Sequence, residues 1–204
     1  MMIDDILIYS DEIKQRIGEK RFLHTLRVKD TCVNLAKYYS VDINKAAVAG
    51  FLHDCAKIRD INLLKQEAKK FGLKMNLEFE RAPQIIHSYL GAIFAEKFYN
   101  IKDEDILNAI KFHTTGRENM SDLEKITFLA DSIEPMRNFD GVVELRKLSK
   151  KDLNQAMYFS LNNTLKMLIE KNSYIVIETV LARNFYREMV DWDLLLKLFL
   201  LLSL

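Results

Sequence analysis

Residues that interrupt regular secondary structure are scarce in this chain of 204 residues, which contains two prolines and six glycines. Few breakers therefore separate its apolar segments, and no run of alternating apolar and polar residues marks strands joined by tight turns. The sequence also has no repeat period, no linker and no low-complexity block. These absences argue against a β-rich domain and against a repeat protein.

The chain also has few cysteines, and neither positive nor negative charge is in excess. Two cysteines, Cys32 and Cys55, are too few for a disulfide scaffold, and such usage is typical of a reducing cytoplasm. Lys and Arg number 30 against 29 Asp and Glu, so the net charge of +1 gives no electrostatic case for a nucleic-acid polymer as partner. The acidic N-terminal segment MMIDDILIYSDEIK does not resemble a signal peptide. We therefore expect a cytoplasmic protein.

Long hydrophobic runs are limited to one segment, LLLKLFLLLSL, at residues 194–204. A transmembrane helix needs roughly 20 apolar residues, so no membrane span is expected. We expect the apolar tail over residues 191–204 to pack on the domain or on a second copy of the chain, which would form a homodimer. Membrane association, or a tail foreign to the domain, is the alternative.

Apolar residues recur at helical spacing along almost the whole chain, as in IDDILIYSDEIKQRIG, which ends at Gly18. A second helix is predicted from Lys20 to Tyr39, and a third ends at Asp54. Capping residues or proline indicate helix starts at these positions: Asp42, Pro83, Asp103, Ser121 with Glu124, and Ser149 with Asp152. The sequence therefore predicts a single all-α domain over residues 1–190.

The four histidines each lie on a different predicted helix, and each follows or interrupts an apolar run: His24, His53, His87 and His113. They lie too far apart in sequence for a local zinc-type spacing such as H-x-x-x-H. Any cluster must be assembled by the fold, with one ligand from each helix, as in other helical bundles. Taken singly, a histidine in an apolar helix is more often a hydrogen-bonded core or surface residue than a ligand.

His53 differs because Asp54 follows it directly, at the end of an apolar run. Adjacent residues on a helix point about 100° apart, which suits them to flank a third object such as a metal ion. Asp131, in TFLADSIEP, repeats the pattern as an acid after a hydrophobic run with no basic neighbour in its turn. Burial of an unpaired carboxylate is costly, so a cation is its natural partner.

The order of His24, the pair His53-Asp54, and Asp131 on successive helices resembles the HD domain, a superfamily of metal-dependent phosphohydrolases. The strings RFLHTLRV, GFLHDCAK, IIHSYLGA and KFHTTGRENMSDLEKITFLADSIEPMR resemble its YqeK-like branch, which hydrolyses diadenosine tetraphosphate symmetrically to two ADP. The resemblance covers most of the chain and implies an HD-type helical bundle with the metal site between helices. The segment SYIVIETVLARN departs from the family pattern, which has a His-Pro pair before this helix.

The resemblance implies one or two transition-metal ions, the first held by the four residues of the motif: His24, His53, Asp54 and Asp131. Asp54 can bridge to a second ion. His87 and His113 match the di-metal members of the superfamily, and they either complete the second site or bind phosphate oxygens. Imidazole-rich ligation with two carboxylates suits iron, manganese, cobalt or zinc more than magnesium, and the resemblance favours iron.

Basic and hydroxyl side chains around the motif are expected to bind substrate phosphates. Lys57 lies three residues after Asp54, so on a helix the two would share a face, and Arg21 has the same relation to His24. Asp54 and Lys57 are the expected catalytic residues. Further nucleotide or phosphate contacts are expected from His87, His113, Asp131, Arg137, and Thr114 together with the backbone amides as far as Gly116.

Three more residues have expected roles outside the motif. Glu134 is expected to orient a metal ligand or to pair with Arg137. Arg81 and Arg117 are expected to be surface residues.

Two classes of function are consistent with these residues. The first is an enzyme that cleaves dinucleoside polyphosphates with a metal-activated hydroxide, with diadenosine tetraphosphate as the expected substrate. Within it, an HD-type phosphohydrolase acting on mononucleotides is the neighbouring alternative. The second class is a metal- and nucleotide-binding sensor with little turnover. A sensor could lose ligands without losing its role, and none is missing here, so the sequence favours the enzyme.

Overall fold

Helices account for the regular secondary structure of the chain. The computed structural model describes residues 2–202, with the side chains of residues 2–190, and this part of the chain contains no strand. The predicted all-α class is therefore confirmed. A 3-10 turn at Pro83–Ile85 precedes the helix that begins at Ile86. The helices, in chain order, are α1 (Ile3–Leu7), α2 (Ser10–Ile17), α3 (Glu19–Tyr39), α4 (Ile43–Leu52), α5 (Ile61–Lys70), α6 (Leu77–Arg81), α7 (Ile86–Phe98), α8 (Glu104–Phe112), α9 (Asp122–Ile133), α10 (Val142–Lys151), α11 (Leu153–Glu170) and α12 (Ile177–Leu202).

The backbone of α12 continues into the apolar tail as far as Leu202. The packing predicted for residues 191–204, and with it the domain limit at residue 190, lies outside the described side chains. In the part of the chain that is described, no helix combines the length and the apolar character needed to cross a membrane.

Three of the predicted helix starts have the predicted caps. Asp42 and Asp103 accept hydrogen bonds from backbone amides in the first turns of α4 and α8. Ser121 and Glu124 form the reciprocal capping box at the start of α9. These caps set where the helices that carry the predicted ligands begin.

The capping box predicted from Ser149 and Asp152 is wrong. Asp152 alone caps α11, where its carboxylate accepts from two backbone amides of the first turn. Ser149 still belongs to α10 and donates its hydroxyl to the Leu145 carbonyl at 2.7 Å. Because aspartate is itself a strong N-cap, the helix begins after Asp152 instead of after Ser149.

Two other helices have different limits from those predicted. The first segment is divided into α1 and α2, where the Ser10 hydroxyl donates to the Leu7 carbonyl and competes with the helical hydrogen bonds. The third helix, α4, ends at Leu52, so His53 is its C-cap and Asp54 belongs to the turn that follows. Lys57 is therefore not on a helix with Asp54, although the turn keeps the two residues close.

The helices that carry most of the predicted ligands pack directly on one another. α3 lies against α4 and α9, and α8 lies against α4, α7 and α9. α3 and α4 approach closely at Gly50, where an added Cβ would stand 2.8 Å from Cys32 Sγ and 2.9 Å from Lys29 Cα. The absence of a side chain at Gly50 thus allows the close contact that brings His24 and His53 together.

Gly50→Ala is expected to lower the free energy of unfolding by about 1–3 kcal/mol, because the new methyl group fits only if α3 and α4 move apart. Urea unfolding followed by circular dichroism measures the change. Gly91→Ala is the control, since the atom nearest to its added Cβ would be the Cγ2 methyl of Ile110, at 3.3 Å. Wild-type stability of Gly50→Ala would contradict the close approach of the two helices.

Candidate metal centre

The four histidines, which lie far apart in sequence, meet between α3, α4, α7 and α8. The ring centroids of His24 and His53 are 5.5 Å apart, and those of His53 and His113 are 5.0 Å apart. His87 lies 5.1 Å from His113 by the same measure. All four side chains are buried. The fold therefore assembles one imidazole from each helix into one cluster.

The Nδ1 atom of each ring faces an oxygen close by. His24 Nδ1 lies 3.1 Å from Glu134 Oε1. Because carbonyl and carboxylate oxygens only accept hydrogen bonds, Nδ1 carries a proton in each ring, and each Nε2 atom faces the cluster. The other three rings each face the carbonyl three residues earlier, in the pairs His53–Gly50, His87–Gln84 and His113–Ile110.

Two carboxylates complete the cluster. Asp54 Oδ1 lies 3.1 Å from His87 Nε2 and 3.6 Å from His113 Nε2. Asp131 Oδ1 lies 2.9 Å from His24 Nε2. Two trios have ligand atoms that all lie within 4.8 Å of one another: His24 with His53 and Asp131, and His53 with Asp54 and His113.

The Nε2 atoms of the cluster differ in whether a hydrogen-bond donor reaches them. Among the described side chains, those of His24 and His53 are buried without a hydrogen-bond partner, although His24 Nε2 lies 2.9 Å from Asp131 Oδ1. Lys57 Nζ lies 3.0 Å from His87 Nε2, and Thr114 Oγ1 lies 3.2 Å from His113 Nε2. Buried nitrogen atoms that lie beside carboxylates without a hydrogen bond are costly unless a cation lies between them. A divalent transition metal fits this donor set, because imidazole nitrogen and carboxylate oxygen are among its usual ligands.

The charges of the cluster also suit a cation. Burial opposes the ionisation of Asp54, but the neighbouring imidazoles hold its pKa well below the usual value. Burial opposes the ionisation of Asp131 as well. The ring of His24, followed by His53 and Arg137, nevertheless holds the pKa of Asp131 well below its usual value. Burial and the Lys57 ammonium lower the pKa of His87 to about 4, so this ring is neutral at pH 7. Two anionic carboxylates therefore lie beside a neutral imidazole.

A cleft of about 910 Å³ opens beside the cluster. The chain as a whole has a net charge of +1, so the fold concentrates positive charge on this one surface. A cleft lined by an excess of positive charge suits a ligand that carries several negative charges. Two acidic side chains, Glu19 and Glu134, line the cleft together with six basic ones: Lys20, Arg21, Arg27, Lys57, Arg59 and Arg137.

Three of the predicted phosphate-binding residues reach the cluster through its carboxylates. Arg21 donates to Asp54 Oδ2 at 3.0 Å, and Lys57 Nζ lies 3.8 Å from Asp54 Oδ1. Arg137 donates from Nε to the Asp131 carbonyl at 2.7 Å and from its terminal nitrogen to the Asp131 carboxylate. Asp131 has no basic neighbour in its own turn, as predicted, but Arg137 returns to it from beyond the end of α9.

The turn after α8 offers fewer phosphate-binding groups than predicted. Thr114 Oγ1 lies 3.2 Å from His113 Nε2, so its hydroxyl faces the cluster. Thr115 is buried and donates to the Gly116 carbonyl. The Gly116 amide donates to the Phe112 carbonyl at 2.9 Å and is not free. One hydroxyl faces the site from this turn, in place of the predicted row of amides.

Two arginines have contacts that the sequence did not predict. Arg117, expected on the surface, donates from two nitrogens to the buried carboxylate of Glu124, each at 2.8 Å. Arg27 donates from Nε to Glu134 Oε2 at 2.6 Å, so Glu134 pairs with Arg27 and not with Arg137. Arg27 lies one helical turn after a predicted ligand, and this spacing is the signal by which it could have been found.

Comparison with known proteins agrees with this geometry. Residues 21–136 match the family model of the HD domain. The chain belongs to the HD domain family. HD domains bind divalent metals, which agrees with the donor set of the cluster. The family resemblance predicted from the order of histidines and aspartates is therefore confirmed.

Relatives of this HD protein cover most of its length. A protein of Halalkalibacterium halodurans named "Bis(5'-nucleosyl)-tetraphosphatase, symmetrical" is 42% identical over 172 residues, which cover 84% of this chain and 91% of that protein. A Bacillus subtilis protein of the same name is 40% identical over 172 residues, with 84% and 92% covered. A crystal structure from Clostridium acetobutylicum, described as a predicted HD superfamily hydrolase involved in NAD metabolism, is 44% identical with a TM-score of 0.84. That match covers 88% of this chain and 95% of the other, which agrees with a single HD fold.

Asp54→Asn is expected to leave the HD protein with far less than one metal ion per chain. The change removes the negative charge of a buried carboxylate that lies close to three of the histidines. Elemental analysis of protein purified without chelator measures the content. Asp30→Asn is the control, since that carboxylate lies on α3 with 67% of its side chain exposed. Circular dichroism should show equal helicity in all three proteins. Equal metal content in wild type and Asp54→Asn would contradict the assignment.

His87→Ala and His113→Ala test the second half of the cluster. We expect either change to lower the number of bound ions per chain without removing all metal, because His24, His53 and Asp131 are unaltered. Unchanged metal content together with a raised KM would instead indicate that the two rings bind phosphate. Unchanged metal content and unchanged kinetics in both variants would contradict both roles.

Proposed function

We propose that this chain hydrolyses dinucleoside polyphosphates, and that it cleaves diadenosine tetraphosphate to two ADP. One observation carries the proposal: four imidazole Nε2 atoms and two carboxylates converge beside a cleft with six basic side chains on its wall. A phosphoanhydride substrate requires this combination of a cation site and a cationic wall. The relatives at 40–42% identity bear the name of symmetrical tetraphosphatases, which supports the choice of substrate.

The ligand set is proposed from the contacts of the cluster. We propose that His87 and His113 hold a second ion, with Asp54 between the two sites. Iron is the proposed metal, and manganese, cobalt and zinc suit the same donors. A bound metal of this kind lowers the pKa of water and so supplies hydroxide at neutral pH. The first ion is assigned to His24, His53, Asp54 and Asp131.

The side chains on the wall compensate for the charge of the transferring phosphoryl group. A guanidinium has five N–H donors, so Arg21 and Arg137 keep further donors for phosphate oxygens after they bind Asp54 and Asp131. Lys57 adds an ammonium next to Asp54, held close by the turn after α4. These donors are fixed by the carboxylates before substrate binds, which reduces the reorganisation needed during the reaction.

The same geometry favours a cut between the two middle phosphates. Arg21, Lys57 and Arg137 line one cleft beside the cluster, and the Thr114 hydroxyl lies 3.2 Å from His113 Nε2. A space of that kind grips the diphosphate of one nucleoside and leaves the next phosphorus beside the ligand atoms. Cleavage at the first anhydride would instead require a pocket that holds a single phosphate.

We also propose that the enzyme acts in the cytoplasm and forms a homodimer. The two buried cysteines are free thiols, which suits a reducing compartment. The apolar residues at 194–204 are the proposed dimer contact, and light scattering of the purified protein measures the oligomeric state.

Incubation with diadenosine tetraphosphate and manganese or ferrous iron is expected to yield ADP as the only nucleotide product. Ion-exchange chromatography separates the nucleotides, and reaction in oxygen-18 water shows incorporation of one label per substrate cleaved. A mixture dominated by AMP and ATP would contradict the symmetrical cut. The absence of any cleavage in metal-loaded protein would contradict the proposed function itself.

Arg137→Ala is expected to lower kcat/KM by about ten- to a hundredfold, which corresponds to the loss of one charged hydrogen bond of roughly 1.5–3 kcal/mol. Arg81→Ala is the matched control, because Arg81 is exposed on α6 and does not line the cleft. Steady-state kinetics with diadenosine tetraphosphate measure both variants. Equal losses in the two variants, or no loss in Arg137→Ala, would contradict a role in phosphate binding.

A further inference from the structure

His24 differs from the other three histidines in how its ring is held. His53 and His113 each follow a helix whose last carbonyls have no helical partner, so their Nδ1 atoms bond the carbonyl three residues earlier. His87 lies beside the 3-10 turn and bonds a carbonyl of that turn. His24 lies inside α3, where the backbone carbonyls nearby are used by the helix itself. Its Nδ1 therefore needs an acceptor from another part of the chain.

Glu134 supplies that acceptor from the end of α9, 110 positions along the chain. Glu134 is buried, with 2% of its surface exposed, and its carboxylate is held on both oxygens. Oε2 accepts from Arg27 Nε at 2.6 Å and from the Met136 amide at 2.8 Å. Oε1 accepts from His24 Nδ1 at 3.1 Å and from the Arg27 terminal nitrogen at 3.4 Å. The carboxylate is thus fixed in place and balanced by one guanidinium.

The backbone around Glu134 is fixed by a second arginine, from α10. Arg146 donates from Nε to the Ile133 carbonyl at 3.0 Å and from its terminal nitrogen to the Glu134 carbonyl at 2.9 Å. The same terminal nitrogen bonds the Arg137 carbonyl at 2.9 Å. Arg146 therefore holds the turn after α9 through three backbone carbonyls, and both Glu134 and Arg137 depend on that turn for their positions.

We propose that Glu134 is a positioning residue of the metal centre, and that it acts through His24 with Arg27 as its counter-ion. Its carboxylate accepts from His24 Nδ1 and holds the ring with Nε2 2.9 Å from Asp131 Oδ1, where the two atoms can bind one cation. The negative charge also strengthens His24 as a donor to a metal, because it stabilises positive charge on the ring. The inference rests on the metal centre of the proposed function and adds to it a residue that acts on the metal through another side chain.

The variant Glu134→Gln removes the negative charge of the side chain and keeps its size and its hydrogen-bond acceptor. The glutamine amide oxygen can still accept from His24 Nδ1 and so keep the tautomer, but it carries no negative charge. We expect the dissociation constant for Co²⁺ to rise about 10- to 100-fold in Glu134→Gln, and at least as far in Glu134→Ala, where the acceptor is lost as well. A purely structural role for the side chain would leave the glutamine variant at wild-type affinity.

Titration of metal-free protein with Co²⁺, followed by its visible absorption and by competition with a chelator, gives the dissociation constants. Glu144→Gln is the matched control, because Glu144 lies on α10 with 54% of its side chain exposed. Nitrogen-15 spectra of the metal-free proteins identify the His24 tautomer, which should carry its proton on Nδ1 in the wild type and in Glu134→Gln. Circular dichroism and urea unfolding should show that the variants remain folded.

Wild-type Co²⁺ affinity in Glu134→Gln would overturn the positioning role, and so would an unprotonated Nδ1 on His24 in the wild type. Neither result would contradict the proposed function. A wild-type protein that binds Co²⁺ with the expected dependence on Glu134, yet cleaves no dinucleotide, would contradict the proposed function and support the positioning role.

Discussion

The structure depends on the burial of imidazole and carboxylate ligand atoms in one small volume, where the Nε2 atoms of His24 and His53 have no hydrogen-bond partner among the described side chains. Four imidazole rings present Nε2 to the same small volume because their Nδ1 atoms face oxygens elsewhere. Two ionised carboxylates, Asp54 and Asp131, share that volume. Such an arrangement is costly in an apolar interior unless positive charge enters it. Part of that charge comes from Arg21, Lys57 and Arg137, and a metal ion bound at the cluster would supply the rest.

The positions of the helix ends bring several of these ligand atoms together. His53, Asp54 and His113 all lie at or just after the last turn of a helix, where free carbonyls hold the rings and the backbone can turn. Gly50 lets α3 approach α4 closely enough to bring His24 to the same point. The metal site and the close packing of the core thus depend on the same contacts. Basic side chains that balance the carboxylates also line the cleft, so their hydrogen-bond donors are already in place before a ligand binds.

Much of this could be predicted from the sequence because the signals are local. Apolar periodicity and the caps at Asp42, Asp103 and Ser121 give the class and many of the helices, and the family resemblance gives the order of the ligands. Two wrong predictions, the undivided first helix and the second capping box, result from competition between neighbouring groups for the same hydrogen bonds. Ser10 and Asp152 each bond their own surroundings in preference to the predicted pattern. The pairing of Arg27 with Glu134, and of Arg137 with Asp131, depends on tertiary contacts that no local pattern of the sequence reveals.

The central claim is that this cluster of acceptors binds a transition metal. A crystal of the protein grown with Mn²⁺ or Fe²⁺, with diffraction measured above and below the absorption edge of that metal, tests it most directly. We expect an anomalous difference peak within about 2.0–2.3 Å of the Nε2 atoms of His24 and His53 and of an oxygen of Asp131. A fully occupied peak elsewhere, or no peak at the cluster in protein that retains measurable metal, would contradict the account.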